Sequence, residues 1–147
     1  MADPDDPEEL SGLGAVSYGV GDLVLAESRW QKAAELGSSS AMFFLGSLAK
    51  DAGDLALAES WLQKAAELGN SDAMVMLGPL ADMAGDPVLA ESWFQKAAEL
   101  GNADGMYGLG VLAEKAGDLE LAKSWWQKSA DLGGQYAIDA LAELDAS

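Results

Sequence analysis

A stretch of 18 residues recurs at a fixed interval along the chain. It is clearest from Gly53 to Asn70, GDLALAESWLQKAAELGN, and close copies begin at Gly21, Gly85 and Gly117. The interval between successive copies is 32 residues. A fixed period in this range is typical of solenoid arrays, in which each unit buries its apolar face only by stacking on its neighbours. The sequence therefore predicts an array of repeats.

Helix-capping residues recur with the same period. Asp6, which is followed by a proline and two glutamates, begins one series of N-cap residues, and Asp22 begins a second series. The first series continues with Ser38, Asn70, Asn102 and Gly134, and the second with Asp54, Asp86 and Asp118. Each helix of the second series is expected to end at a Leu-Gly pair, because glycine accepts the left-handed conformation. The predicted helices lie near residues 7–20, 23–36, 39–52, 55–68, 71–84, 87–100, 103–116, 119–132 and 135–145.

These boundaries predict an all-α fold: a right-handed α-solenoid of four antiparallel helical hairpins and a C-terminal capping helix. Residues 1–6 are expected to form an acidic N-terminal tail and residues 7–147 a single repeat domain. The predicted repeats are residues 7–38, 39–70, 71–102 and 103–134, followed by the capping helix at 135–146. In each repeat a glycine, such as Gly46, is expected to let the first helix approach the second.

The composition restricts both partners and chemistry. The chain contains 8 Lys and Arg residues against 25 Asp and Glu residues, a net charge of -17. Such an acidic surface repels phosphate backbones and anionic lipids, so neither nucleic acid nor membrane is an expected partner. Cysteine and histidine are absent, which removes thiolate ligands and the commonest general base. We therefore expect no enzymatic activity, no metal site and no cofactor.

The amino-terminal segment MADPDDPEEL lacks the basic and apolar regions of a signal peptide. No apolar run approaches the roughly 20 residues that a membrane-spanning helix needs. The sequence therefore predicts a cytoplasmic location.

The recurring residues form a pattern that is known from other repeat proteins. From Met42 to Gly69 the pattern reads M-x2-L-G-x2-A, then A-x2-W-x2-KAA-x2-G. It resembles the tetratricopeptide family, and its second part is similar to the signature of the Sel1-like branch. Met42 and Ala49 stand where tetratricopeptides have tryptophan and tyrosine, and the period is 32 residues rather than 34. The resemblance implies a concave groove, lined by the first helices, that holds peptides.

Comparison of the repeats separates constant positions from variable ones. The second helices hardly change, whereas the first helices differ in four columns, a column being a set of positions one repeat apart. Fold requirements alone would have kept these positions alike, so their variable, partly apolar residues indicate a binding surface. The candidate ligand-binding residues are Phe43, Phe44, Ser47, Val75, Met76, Pro79, Met83, Tyr107 and Val111. Tyr18 and Tyr136 are expected at the edges of the groove.

Two functions fit these patterns. The first is a module that binds a protein or peptide on the concave first-helix face, and surrounding acidic residues would favour a partner with basic flanks. The alternative is an engineered or structural scaffold for stability, fusion or display, without a natural ligand, which the near-identity of the second helices favours. Exposed aromatic residues such as Phe43 and Phe44 would also allow self-association.

Several residues have two open interpretations. Phe44, Met76 and Met83 either line the groove or pack between helices. Pro79 lies roughly eight residues into its helix and removes the hydrogen bond to the Val75 carbonyl, which costs about 3 kcal/mol in a regular helix and predicts a kink.

Three tryptophans recur on the second helices, at positions 61, 93 and 125. They are expected to pack between adjacent repeats at the outer surface, with a cation–π contact from Arg29 to Trp61. The alternative is a strip that binds carbohydrate or aromatic ligands.

Overall fold

The computed structural model describes residues 5–147, so residues 1–4 of the predicted acidic tail lie outside the described part. Residues 5–147 form nine α-helices and no strand, which confirms the all-α prediction. The helices are α1 Pro7–Gly19, α2 Leu23–Glu35, α3 Ser39–Asp51, α4 Leu55–Glu67, α5 Ser71–Met83, α6 Pro87–Glu99, α7 Ala103–Lys115, α8 Leu119–Asp131 and α9 Gln135–Ala146. None of them is long and apolar enough to cross a membrane. The division into a tail and a single domain stays a prediction.

All nine helices begin at the predicted residue because the predicted N-caps form. The carboxylates of Asp22, Asp54, Asp86 and Asp118 each accept a hydrogen bond from the backbone N–H three residues ahead, at 2.9 to 3.1 Å. The side chains of the first series, from Asp6 to Asn102, cap their helices in the same way. Gly134 caps α9 without a side-chain hydrogen bond, as a glycine must. Local capping chemistry alone therefore fixes where each helix starts.

The helix ends are also close to the prediction. The first eight helices end one residue earlier than predicted, and α9 ends one residue later. Each of the eight is followed by one residue and then by a glycine with positive φ, for example 81° at Gly53 and 87° at Gly69. Only glycine adopts this conformation at little cost, so it stops the helix there.

The chain divides into two compact units, at Ala73 and Met74. The first unit, which we call unit 1, contains α1 to α4 and a core cluster made of Leu10, Ala26, Trp30, Ala33, Ala34, Ala41 and Leu45. Unit 2 begins within α5 and contains α6 to α9. Its core clusters are Phe94, Ala98 and Leu109, and Ala113, Ala122, Trp126 and Ala137.

Close packing inside each hairpin depends on glycine, as the sequence predicted. A β-carbon added to Gly46 on α3 would lie 2.7 Å from Cγ of Leu62 on α4 and 3.3 Å from the Ala58 carbonyl oxygen. The same relationship holds for Gly14 with Trp30, Gly78 with Phe94 and Gly110 with Trp126. The missing side chain on the first helix thus provides the space for a large apolar side chain on the second.

Candidate functional site

Unit 1 has a cleft of about 200 Å³ between α1 and α3. Three candidate residues, Phe43, Phe44 and Ser47, lie together in its lining on α3. The remaining lining residues are Ala15 and Tyr18 of α1, Trp30 of α2, and Leu48 and Asp51 of α3. Tyr18 therefore lines this cleft, in agreement with its expected place beside the candidate residues.

A cluster of aromatic rings forms the floor of the unit 1 cleft. Trp30 is 2% exposed and stacks on Phe44, with ring centroids 5.0 Å apart and an interplanar angle of 17°. Its Nε1 donates a hydrogen bond of 3.1 Å to the Ser11 carbonyl oxygen. Phe43 meets Phe44 edge-on at 5.5 Å, and Tyr18 lies 5.8 Å from Trp30. Phe44 thus does both things that the sequence left open: it packs on the core and it lines the cleft.

Unit 2 has a larger cleft, of about 550 Å³. Four candidate residues lie in its lining: Val75 and Pro79 on α5, and Tyr107 and Val111 on α7. The remaining lining residues are Asp82, Phe94, Asp104, Gly108, Leu112, Lys115 and Tyr136. Tyr136 on α9, like Tyr18 in unit 1, lies beside the residues whose groove it was expected to edge.

A glycine explains part of the room in the unit 2 cleft. Gly108 occupies the column in which earlier repeats carry Phe44 and Met76. The Phe94 ring lies directly against it, since a β-carbon at Gly108 would be 2.7 Å from Phe94 Cγ. A side chain at position 108 would therefore collide with Phe94. Because none is present, Phe94 forms the floor of the cleft.

The rim of the unit 2 cleft is acidic and aromatic. Asp82 Oδ2 pairs with Lys115 Nζ at 2.6 Å, whereas Asp104 has no ion pair within residues 5–147. Tyr107 lies 5.7 Å from Tyr136 and 6.3 Å from Trp126, measured between ring centroids. Burial raises the pKa of the Tyr107 phenol above its ordinary value, and the carboxylates of Glu114 and Glu143 and the nearby Tyr136 raise it further. Residues 5–147 contain no group of acidic side chains arranged to hold a metal ion.

The structure does not bring every candidate residue into a cleft. Met76 is half-buried and Met83 is 74% exposed, and neither lies among the lining residues of the two clefts. Their part in binding stays a prediction. Helix α5 runs through Pro79 from Ser71 to Met83, and the predicted kink also stays a prediction.

The outer tryptophans have a different cation partner from the one predicted. Lys64, Lys96 and Lys128 lie over the rings of Trp61, Trp93 and Trp125, three residues earlier on the same helix, at 4.4 to 4.7 Å from the centroids. The predicted contact of Arg29 with Trp61 is wrong: Arg29 Nη1 donates instead to the Leu13 carbonyl oxygen at 3.0 Å and to Ser17 Oγ. A partner one helical turn away on the same helix is closer than one in the next repeat.

The sequence did not identify Trp30 and Phe94 as cleft residues, because both belong to a second-helix column that includes the core residue Leu62. A signal was present, however: this column faces the glycine column, so a side chain larger than leucine has room to reach the first-helix surface. Leu48 and Leu112 were expected only to pack against the sister helix. Both do contact core clusters, and both also line the clefts.

Solved structures of other proteins share this fold. A protective antigen of uropathogenic Escherichia coli strains that displays an SLR fold superposes with a TM-score of 0.82 at 28% identity, covering 95% of this chain and 33% of that one. An immunity protein from Pseudomonas aeruginosa superposes with a TM-score of 0.70 at 27% identity, covering 89% and 54%. A Sel1 repeat protein from Oxalobacter formigenes superposes with a TM-score of 0.79 at 24% identity, covering 90% and 61%, and shows likeness of fold. The chain thus spans about a third of the length of the E. coli antigen.

The sequence also matches a family model. No curated protein matches it. The Sel1 repeat model, however, matches residues 30–38, 39–70, 71–102 and 103–134, which is more than half of the chain. The predicted α-solenoid class is confirmed by this match and by the structural neighbours, and the Sel1 repeat fold is generally a protein-interaction module rather than a catalytic one. The chain belongs to the Sel1 repeat family.

Proposed function

We propose that this chain binds peptide segments of a partner protein in the first-helix clefts of its two units. The observation that carries the proposal is a coincidence of two independent features. Residues that vary between otherwise similar repeats are the ones that line the clefts: Phe43, Phe44 and Ser47 in unit 1, and Val75, Pro79, Tyr107 and Val111 in unit 2.

The clefts are suited to a partner with apolar anchors. Phe43, Val75, Tyr107 and Val111 are half-buried, so each has apolar surface that a ligand would remove from water. Such burial contributes roughly 25 cal/mol for each Å². The frame beneath them is fixed by the caps and by the glycine-mediated helix contacts, which limits the entropy lost on binding. The net charge of -17 favours a partner with basic flanks.

A peptide display selection tests the proposal. The parent chain and two single variants, Phe43→Ser in unit 1 and Val111→Ser in unit 2, are immobilised and exposed to the same random library. Two matched controls replace exposed apolar residues outside the clefts: Val24→Ser on α2 and Ile138→Ser on α9. Peptides enriched by the parent and both controls, but lost by a cleft variant, would support binding in that cleft. Equal enrichment by all five proteins would contradict it.

A scaffold without a natural ligand, engineered or structural, is the second candidate. It is favoured by the close repetition of one second-helix sequence, LAES followed two residues later by QKAAELG, in three of the repeats. The same selection separates the two candidates. A scaffold predicts no enrichment above the bare surface, together with high and reversible thermal stability.

Self-association is a further proposal about partners. Phe43 and Phe44 are half-buried, and the exposed aromatic side chains among the cleft residues are Tyr18 and Tyr136. We propose that any contact between copies would use these two tyrosines. Light scattering at two concentrations checks this: a mass that rises with concentration in the parent and not in a Tyr18→Ser/Tyr136→Ser variant would support it, and a constant mass would contradict it.

A further inference from the structure

We infer that the unit 2 cleft accepts a basic side chain, lysine or arginine, from the bound partner. This inference rests on the proposed peptide-binding function and goes further, because it assigns the chemistry of the anchor in one cleft. Three features of the cleft support it: an apolar wall, a set of aromatic rings and a carboxylate rim.

The apolar wall suits the aliphatic stem of a basic side chain. Val75, Val111 and Leu112 line the cleft, and Phe94, only 8% exposed, forms its floor. Lysine and arginine bury their methylene stems along such surface and keep the charged end in a polar setting. At about 550 Å³ the cleft has room for the anchor and for neighbouring peptide atoms.

The aromatic rings offer a favourable environment for the cation. Phe94, Tyr107 and Tyr136 all line the cleft, and Tyr107 and Tyr136 lie 5.7 Å apart. Cations are attracted to the faces of such rings. The raised pKa of Tyr107 keeps its phenol neutral at physiological pH, so the ring remains a hydrogen-bonding partner.

The carboxylates complement a positive charge. Asp82 and Asp104 belong to the lining, and Glu114 and Glu143 lie near enough to affect Tyr107. The basic side chain in the lining is Lys115, which is paired with Asp82. Asp104 therefore faces the cleft region without an ion pair in the described part of the chain. The unit 1 cleft differs, since its volume is about 200 Å³ and its one acidic lining residue is Asp51.

NMR titration with blocked tripeptides tests the inference. The probes are acetyl-Gly-X-Gly-amide, in which X is arginine, lysine, norleucine or phenylalanine, and the protein is the full chain labelled with 15N. The amides of Gly108 and Val111 report the unit 2 cleft, and the amide of Ser47 reports the unit 1 cleft. We expect the arginine and lysine peptides to shift Gly108 and Val111, and to bind more tightly than the norleucine peptide of similar stem length.

Three variants make the test specific. Asp104→Asn removes an exposed carboxylate and should weaken binding of the arginine peptide by about 3- to 5-fold, the effect of one partly exposed ion pair. Lys115→Met removes the competing cation and should tighten binding by a similar factor, a gain that a folding defect would not produce. Glu99→Gln removes a carboxylate from α6, outside the cleft lining, and should leave the affinity unchanged.

Several outcomes would overturn the inference. Norleucine or phenylalanine peptides that bind as tightly as the arginine peptide would assign the cleft to neutral anchors. An unchanged affinity in both Asp104→Asn and Lys115→Met would remove the charge argument. The two proposals can fail separately: a display selection that depends on Val111 but enriches peptides without basic residues would keep the peptide-binding function and reject the basic anchor.

Discussion

The indole ring of Trp30 fills the space that a side chain at Gly14 would occupy. Two residues earlier on the same helix, a β-carbon at Gly12 would meet nothing within 4 Å. The two glycines therefore have opposite roles, although both lie inside α1 and neither has a positive φ.

This pair gives the first prediction. Gly14→Ala should lower the free energy of unfolding by about 1–3 kcal/mol, because the new methyl group overpacks a buried contact with a rigid ring. Gly12→Ala should raise it by about 0.5–1 kcal/mol, because alanine favours the helix and no neighbour is displaced. Urea unfolding of both variants measures the difference. Shifts of the same sign would show that Trp30 does not depend on the gap at Gly14.

The N-cap of α3 gives the second prediction. Ser38 is 1% exposed, and its Oγ accepts a hydrogen bond from the Ala41 N–H at 3.1 Å and donates to Glu8 Oε1 at 2.8 Å. Ser38→Ala should therefore destabilise the fold by about 1–2 kcal/mol. Ser39→Ala, one residue later, should change the free energy of unfolding by no more than about 0.5 kcal/mol. Thermal unfolding of the two variants checks this, and equal melting temperatures would refute it.

Pro79 gives the third prediction. Replacing it with alanine restores an N–H that can bond to the Val75 carbonyl, so stability should rise, by at most about 3 kcal/mol. The melting temperature should rise by roughly 2–4 °C for each kcal/mol gained. An unchanged or lower melting temperature would contradict this. Peptide binding is measured on the same variant: unchanged affinity identifies a tolerated proline, and altered affinity shows that Pro79 shapes the unit 2 cleft.

The titration of Tyr107 gives the fourth prediction. Burial and nearby carboxylates raise its pKa in the folded chain above that of the unfolded chain. The neutral phenol thus contributes stability that is fully present below pH about 10 and is lost as the pH rises through the raised pKa. Tyr107→Phe should lessen the loss of stability in that range. The tyrosinate absorbance of the parent minus that of the variant gives the midpoint directly, and a midpoint at or below that of free tyrosine would contradict the prediction.

The features that could be predicted from the sequence are the local ones. An N-cap such as Asp54 and a stop such as Gly69 act within one turn of chain, and the helix boundaries follow from them to within one residue. The period then extends one hairpin to the rest of the family fold.

The features that could not be predicted depend on side-chain size across helices. The unit 2 cleft opens because Gly108 leaves Phe94 uncovered, a relationship between residues 14 apart on different helices. Met83 shares a column with the cleft residues Asp51 and Lys115, yet it does not line the unit 2 cleft. A column identifies a face of a helix, but the neighbouring side chains decide where on that face a cleft forms.

The most direct measurement for the proposed function maps where a selected peptide binds. A peptide enriched by the parent chain is titrated into the 15N-labelled protein, and amide shifts are followed along all helices. The account predicts that the largest shifts fall on first helices, near Phe43 and Ser47 or near Tyr107 and Val111. Shifts concentrated on the second helices, around Trp61, Trp93 and Trp125, would contradict it and assign binding to the outer face instead.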